Sequence, residues 1–330
     1  MKKYKYIVIS LLIFIPLIYN SCDDAGITEL AFHRAGDVTL TQSNLKPLNP
    51  TVDGVYEAWI KLDTLGGQWY SLGRFNISLN GTIIDLSGNA MTFTFMGDTN
   101  QLHLAIAAMI TVETSAFTGQ PGPLHLISGS LDTTADSAYG NLNLGGADAL
   151  GSVGQTLIGG AQGCPHGKYI LRTPSNNNVE CLKGIWFCDT LGNAHLPAGL
   201  GLSGSPWIYQ GWLKDRTNPN NPVYLTMGRF SDPYNADLDG KGPCAGPGNG
   251  YNKPGQDWVN PSSSCVQNLN NGNYEVFITL EPTNDPALNS PFFVKLFAQT
   301  VIHSSLGCGR DDNLFNQCAT FPRVRIKINK

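Results

Sequence analysis

The sequence has little charge and none of the short motifs that mark common enzyme classes. Charged residues make up 14% of the 330 residues, the formal net charge is -4, and Lys and Arg form no block. Because phosphate binding needs clustered positive charge, a nucleic-acid partner is not expected. The six His are scattered, and the chain contains no His-Glu-x-x-His, Gly-x-Ser-x-Gly or phosphate-binding glycine-rich motif. Cys-x-x-Cys pairs are also missing, so the sequence does not indicate a structural zinc site.

The first 21 residues predict a secretory signal peptide. Three Lys within the first five residues precede an apolar run, Ile7–Ile18, that is too short to span a bilayer. Ser21-Cys22 follows this run and resembles the lipobox of bacterial lipoproteins, which implies lipidation of Cys22; ordinary cleavage that leaves a spare thiol is the alternative. Acyl chains on Cys22 would anchor the protein to a membrane, with residues 22–35 as a tether. We therefore expect an extracytoplasmic protein of the bacterial cell envelope, at the outer membrane or the cell surface.

Seven cysteines follow Cys22, and an exported protein can oxidise them to disulfides. Connectivity does not follow from sequence alone, and pairing of neighbours is the simplest scheme. Cys188 lies in an apolar segment, GIWFCDT, and is the candidate for a buried free thiol, although a Cys181–Cys188 disulfide is an alternative. The neighbour scheme predicts the pairs Cys164–Cys181, Cys244–Cys265 and Cys308–Cys318.

One pattern occurs twice in the chain. YEAWIKLDTLGGQWYSLGRF (56–75) and YQGWLKDRTNPNNPVYLTMGRF (209–230) share Tyr-x-x-Trp, a polar gap and Gly-Arg-Phe. HLAIAAMITVE (103–113) and NGNYEVFITLE (271–281) also match, and a Pro lies ten residues after each final Glu. The agreement in order, spacing and residue type indicates a tandem duplication. The second member is longer because it contains a Gly/Pro-rich insertion at 240–265.

Hydrophobic alternation predicts that both members are built from strands. Apolar residues occupy alternate positions from Leu102 to Val112. In the C-terminal RVRIKINK, apolar and basic residues alternate, which is typical of a strand with one buried face. Asn80-Gly81 stands between two strand-like runs and predicts a tight hairpin.

The predicted fold class is all-β, because short strands with frequent turn signals favour a sandwich or a barrel. We expect two tandem, related β-sandwich units of the immunoglobulin or jelly-roll kind, at 36–155 and 156–330. Exchange of a strand between the units could move their boundary. The repeated Trp59 and Trp212 are expected to anchor the two cores, and Gly-Arg-Phe to begin the next strand.

The repeated pattern is similar to the extracytoplasmic C-terminal domain of anti-sigma-K-type factors. The shared features are a Tyr-Glu-x-Trp strand, a Ser/Thr-x-Gly-x-Phe strand, and an apolar strand that ends on Glu near a Pro. The resemblance implies a β-sandwich module outside the cytoplasm. The chain shows neither the sigma-binding part nor the transmembrane part of those factors, so no sigma factor is expected as a partner. Gln210 departs from the pattern; the matching positions are Tyr56, Glu57, Trp59, Ser71, Gly73, Phe75, Val112, Glu113 and Pro123 in the first unit, and Tyr209, Trp212, Thr226, Gly228, Phe230, Leu280, Glu281 and Pro282 in the second.

The best metal candidate is DPYNADLDGKG (232–242). Asn235, Asp237 and Asp239 occupy positions 1, 3 and 5 of a calcium-binding loop, where alternate oxygen ligands converge on the ion. Gly246 stands at position 12, where a Glu is expected, and the matching place in the first unit is an ordinary hairpin. A simple turn is therefore the alternative to weak calcium binding.

The insertion carries the candidate ligand site. Tyr251, Asp257 and Trp258 lie among Gly and Pro, in a loop that a Cys244–Cys265 disulfide would close. Exposed aromatic and polar groups of this kind suit a sugar or a protein partner. A structural loop with Trp258 turned inward is the alternative.

The carboxylates give little support for catalysis. Glu57 and Glu113 could form a pair for glycoside hydrolysis, but the second unit has Gln210 with Glu281, so the pair is not repeated. The predicted function is that of a non-enzymatic cell-envelope lipoprotein, acting as a binding or structural module. Its partners would be the membrane, through the lipid anchor, and an unidentified envelope protein or glycan, with no cofactor unless the candidate loop binds calcium. A calcium-stabilised surface glycan-binding lipoprotein is the alternative, and an envelope hydrolase comes third.

Overall fold

Short strands dominate the described part of the chain, which confirms the all-β prediction. A computed structural model describes residues 36–330 apart from positions 65, 115, 160–162, 179–180, 261–264, 266–267, 287–288 and 302–310. The predicted signal peptide, the lipidated Cys22 and the tether to residue 35 lie outside the described residues, as does Cys308. Within the described residues there is a single α-helix, α1 (Gly151–Ile158).

The strands of the described residues are all between two and nine residues long. In chain order they are β1 (Asp37–Ser43), β2 (Val55–Leu62), β3 (Trp69–Ile77), β4 (Ile83–Ile84), β5 (Phe93–Thr94), β6 (Ala105–Glu113), β7 (His125–Ser130), β8 (Asp132–Thr133), β9 (Ser137–Leu142), β10 (Gly167–Leu171), β11 (Gly184–Trp186), β12 (Trp207–Asp215), β13 (Val223–Phe230), β14 (Gly255–Asp257), β15 (Tyr274–Pro282), β16 (Lys295–Val301), β17 (Asp311–Asn316) and β18 (Arg323–Asn329). Short 3₁₀ helices lie at Thr99–Leu104, Pro174–Asn176, Cys181–Lys183, Leu269–Asn271 and Cys318–Thr320.

The repeated pattern occupies two sheets in which four equivalent strands follow the same order. The first runs β4-β3-β2-β6-β7, and the second contains β13-β12-β15-β16 followed by β17-β10-β11-β14; all neighbours are antiparallel. The edge strands β13 and β14 of the longer sheet contact each other, so this sheet nearly closes into a barrel. We call β2, β3, β6 and β7 the first motif, and β12, β13, β15 and β16 the second motif.

The C-terminal strand joins the far end of the chain to its beginning. β18 pairs with β1 and with β9, in registers that include Val38↔Ile328 and Val324↔Leu142. Its apolar residues are buried and its basic residues are exposed, which confirms the predicted alternation. The last strand therefore completes a sheet of the first half, and the described residues from Gly36 onward form one compact unit.

The two motifs differ from the sequence predictions at their strand ends. β6 begins only at Ala105, because Asp98 caps a 3₁₀ turn over Thr99–Leu104 by accepting a hydrogen bond from the Asn100 N–H. Gly-Arg-Phe lies inside β3 and at the end of β13, so the prediction that it begins a strand is wrong. The Asn80-Gly81 hairpin is confirmed, since β3 and β4 pair across it.

The disulfides follow the neighbour scheme only in part. Cys244–Cys265 is confirmed, but Cys164 bonds Cys318 across a sequence separation of 154 residues, so the predicted Cys164–Cys181 and Cys308–Cys318 pairs are wrong. The bond is possible because the 3₁₀ turn before β18 returns to the segment before β10; Cys181 is also disulfide-bonded. Cys188 is a buried free thiol as predicted, and burial raises its pKa to about 12.

The disulfides indicate an oxidising, extracytoplasmic environment. No helix within the described residues is long and apolar enough to cross a membrane.

Candidate functional site

A buried Trp–Thr–Glu network organises the first motif. Trp59 is fully buried, and its indole Nε1–H donates to the Thr111 hydroxyl at 3.0 Å. The Thr111 hydroxyl in turn donates to a Glu113 carboxylate oxygen at 2.5 Å. The same oxygen accepts the Gly122 backbone N–H at 2.9 Å, which fixes the loop between β6 and β7. Glu113 thus ties the end of one strand to the approach of the next.

The second motif repeats this network residue by residue. The Trp212 indole donates to the Thr279 hydroxyl at 2.8 Å, and Thr279 donates to Glu281. Glu281 accepts the Phe292 backbone N–H at 3.0 Å. Burial raises the pKa of Glu281 to about 8; the hydrogen bonds from Thr279 and Phe292 oppose this shift, and the neighbouring Asp285 carboxyl adds to it. The expected anchoring role of both Trp residues is thus matched by their complete burial.

The Thr of each network was not singled out from the sequence, although the signal was present. Both matching segments end in Ile-Thr-x-Glu, as ITVE and ITLE. In a strand, side chains two positions apart lie on the same face. A Thr two residues before a buried Glu can therefore bridge that carboxylate to a donor on the neighbouring strand.

The remaining motif carboxylate is also held by protein donors. Glu57 is buried, and it accepts hydrogen bonds from the Ser71 hydroxyl at 2.6 Å and from Arg74 Nε at 2.8 Å. In the second motif, Gln210 donates to Thr226 at 3.0 Å. Glu57 is held by Ser71 and Arg74 of β3. Glu113 is held by Thr111 of β6 and Gly122 of the β6–β7 loop, so the two carboxylates have separate partners rather than facing one cleft as free groups.

The insertion is packed inward, so the expectation of exposed aromatics is wrong. Trp258 is 2% exposed, Asp257 is fully buried and Tyr251 is half-buried against the Trp186 ring. Asp257 accepts hydrogen bonds from the Ser175 N–H and hydroxyl and from Trp186 Nε1, the last at 2.8 Å. Burial raises the pKa of Asp257, and these hydrogen bonds oppose the rise. The structural alternative describes this loop, because its side chains complete the barrel through β14.

The candidate calcium loop brings two of its three predicted residues together. The Asp237 carboxyl is buried, and one oxygen accepts the Gly255 N–H at 2.8 Å. Burial raises the pKa of Asp237 to about 8; the Gly255 N–H opposes this, and the adjacent Asp239 carboxyl adds to it. Asn235 instead donates its amide to Asp232 at 2.7 Å. Among the described residues, no group of three or more His, Cys, Asp or Glu side chains is placed to hold a metal ion.

A cavity of about 330 Å³ lies where the ends of the two motif sheets meet. Its walls come from the residues just before β2 and β12 and just after β6 and β15. The Trp207 indole donates to the His125 carbonyl oxygen at 3.0 Å and holds these ends together. The volume of the cavity falls at the lower end of the range for small-molecule pockets. The described lining includes Asp53, Asp285, Thr114, Asn284, Pro206 and Phe292. No Lys, Arg or His occurs among these described lining residues, which favours a neutral or cationic ligand over an anion.

Comparison with known proteins gives no relative for this chain. No protein-family model matches it, and no curated protein or solved structure is significantly similar to it. The resemblance to anti-sigma-K-type domains therefore stays a prediction.

Replacing Glu281 by Gln is expected to remove a pH dependence of stability. The ordinary pKa of 4.5 rises to about 8 in the folded protein, so the folded state retains a proton that the unfolded state has lost between these values. The unfolding free energy should therefore fall as pH rises through this window. Gln stays neutral and can still accept from Phe292 N–H, so Glu281→Gln should gain on the wild type by roughly 1–3 kcal/mol between pH 5 and pH 8.5.

Urea unfolding of both proteins across this pH range measures the difference. Both proteins retain Asp237 and Asp257, so the difference between their unfolding free energies cancels the contribution of those two carboxyl groups. If the unfolding free energies of the two proteins changed with pH in parallel, the raised pKa of Glu281 would be contradicted.

Proposed function

We propose that this chain is a non-enzymatic cell-envelope lipoprotein that binds an envelope protein or glycan. Cys22 would be its lipid anchor, residues 22–35 its tether, and the outer membrane or cell surface its location. The disulfides of the folded part agree with such a compartment. The cavity between the motif ends is the binding site in this proposal, since it joins polar groups to an apolar wall of Pro206 and Phe292.

We further propose that the fold arose by tandem duplication of one β-sandwich module similar to the anti-sigma-K C-terminal domain. Equal strand order and the two matching Trp–Thr–Glu networks support this. β18 would then be a strand exchanged between the two units. A fold shared with such factors would not bring their function with it.

One observation carries the non-enzymatic proposal. The buried carboxylates of the repeated strands, Glu57, Glu113 and Glu281, all accept hydrogen bonds from protein donors. A general acid or nucleophile needs a carboxyl group that can reach substrate. These three carboxylates act as fixed parts of the fold, which favours binding by the loops at the sheet ends over hydrolysis.

Capture of the full chain from its own membranes tests the proposal. Mass spectrometry of the N-terminal peptide should show an acylated Cys22. Cross-linking on intact cells, followed by purification, should enrich one envelope protein or glycan with the wild type. Asn284→Trp, which places a large ring in the cavity, should reduce that enrichment at least tenfold.

The matched control is Asn220→Trp, in the exposed β12–β13 turn at the opposite end of the strand that begins at Trp207. This variant should capture as much as the wild type. Equal capture by Asn284→Trp would place binding elsewhere, and an unmodified Cys22 would contradict the lipid anchor.

A further inference from the structure

Two equivalent glycines of the motifs face very different groups. Gly73 in β3 and Gly228 in β13 both have positive φ, at 122° and 90°, and both donate their N–H to a motif hydroxyl. A Cβ atom on Gly73 would meet the Met91 methyl at 2.8 Å. On Gly228 it would meet Asp239 Oδ1 at 2.3 Å and Asp237 Cγ at 2.4 Å. The same place thus holds a methyl group in the first motif and two carboxylates in the second.

The Asp237 carboxylate is buried with one oxygen unsatisfied. Asp237 is 6% exposed, and its Oδ2 accepts the Gly255 N–H. Its Oδ1 is buried, has no hydrogen-bond partner, and lies beside Asp239 Oδ1 in the space over Gly228. None of the ion pairs among the described residues includes either carboxylate. A buried carboxylate without a compensating charge costs several kcal/mol in general.

The first motif shows that the fold does not require acidic groups at this place. Met91 covers Gly73 with an apolar methyl, and the strand order around it is the same. An apolar side chain such as that of Met91 would therefore be enough to fill the space over Gly228. The adjacent acidic oxygens of the second motif would repel each other unless a cation or a shared proton lay between them.

We propose that Asp237 and Asp239 bind a hard divalent cation, Ca²⁺, over Gly228. Two carboxylates two residues apart, followed by Gly240, supply the hard oxygen ligands that Ca²⁺ prefers. Because Ca²⁺ also accepts backbone carbonyls and water as ligands, it does not require a third acidic side chain. The Asn235 amide N–H donates to Asp232, so the proposed site is built on the two carboxylates alone. The ion would stabilise the contact between β13 and the insertion, because Asp237 also holds the Gly255 N–H of β14.

Calcium titration of the full chain tests this site. The protein is first treated with EDTA and dialysed, and its thermal midpoint is then measured with increasing CaCl₂ at pH 7.5. Saturating Ca²⁺ should raise the midpoint by roughly 3–5 °C, because a ligand that binds only the folded state stabilises it. Isothermal titration should give one site per chain.

Two variants separate binding from a folding defect. Asp239 is exposed, so Asp239→Asn should fold and lose at least three quarters of the calcium-dependent rise. Asp232→Asn, on the same loop but outside the pair, should keep it. A midpoint that stays unchanged up to 10 mM Ca²⁺, or an equal rise in Asp239→Asn, would overturn the site and leave the carboxylates sharing a proton.

Discussion

Replacing Trp212 by Ala should cost about 3–5 kcal/mol of unfolding free energy, and Trp59→Ala should cost a similar amount. Each ring is fully buried. Its removal leaves a large cavity. It also removes the indole N–H that donates to a buried hydroxyl, that of Thr279 for Trp212 and that of Thr111 for Trp59. The loss is expected to be similar because each ring also stacks on a Phe, at 6.4 Å in both motifs.

Urea unfolding followed by circular dichroism measures both losses. Trp69→Ala is the control, because Trp69 is only half-buried and stands at the start of β3, where Lys61 Nζ lies over its ring. It should cost about 1 kcal/mol or less. A cost near that of Trp69 for either motif Trp would mean that the two rings do not anchor the fold equally.

Removing the Cys164–Cys318 disulfide should cost more unfolding free energy than removing Cys244–Cys265. The bond closes 154 residues, against 21 for Cys244–Cys265. Loop-closure entropy assigns about 5 kcal/mol to the long loop and about 3 kcal/mol to the short one, because the unfolded chain loses more freedom when a longer loop is closed. The bond also holds the turn before β18, and β18 completes the sheet of β1 and β9.

The measurement compares double Cys→Ser variants of the two disulfides by urea unfolding. Cys188→Ser is the control for introducing a hydroxyl group, although it places that group in a buried position. Equal losses for the two bonds, or a smaller loss for the long one, would mean that strand pairing rather than the covalent link holds the C terminus in place.

Much of the fold could be predicted because a strand that is buried on only one face keeps an alternation of apolar and polar residues in its sequence. β18 is the clearest case, since its basic residues remain in water. β6 is less clear: nearly all of its residues are buried on both faces, and Ile106 is 41% exposed, so alternation alone could not place its start. Asp98 decided that start by capping a 3₁₀ turn, and a single short polar residue is a weak signal in sequence.

The pairing of β18 with the first half could not be predicted. A strand's alternation determines which of its faces is buried but does not specify its partner. The same limit applies to Cys164–Cys318, because a disulfide joins residues that the fold brings together and sequence spacing does not show this.

The candidate site was predicted unevenly for a physical reason. The sequence repeat correctly indicated that Trp59 and Trp212 are buried anchors, since two equivalent hydrogen-bond networks need the same residues in both motifs. The insertion has no counterpart in the first motif, so nothing in the chain indicated whether Trp258 would point outward or inward. The cavity is formed by residues just outside the strands, such as Asp53 and Asp285, which carry no periodic signal.

NMR of the indole N–H groups can observe directly the hydrogen bonds that Trp59 and Trp212 donate to Thr111 and Thr279. If both motifs are built on one network, the Trp59 and Trp212 indoles should exchange with deuterium only about as fast as the whole protein unfolds. Thr111→Val should alter the indole signal of Trp59 alone, and Thr279→Val that of Trp212 alone. Rapid exchange of either indole in the native protein, or no response to its own Thr, would contradict the account of two equivalent cores.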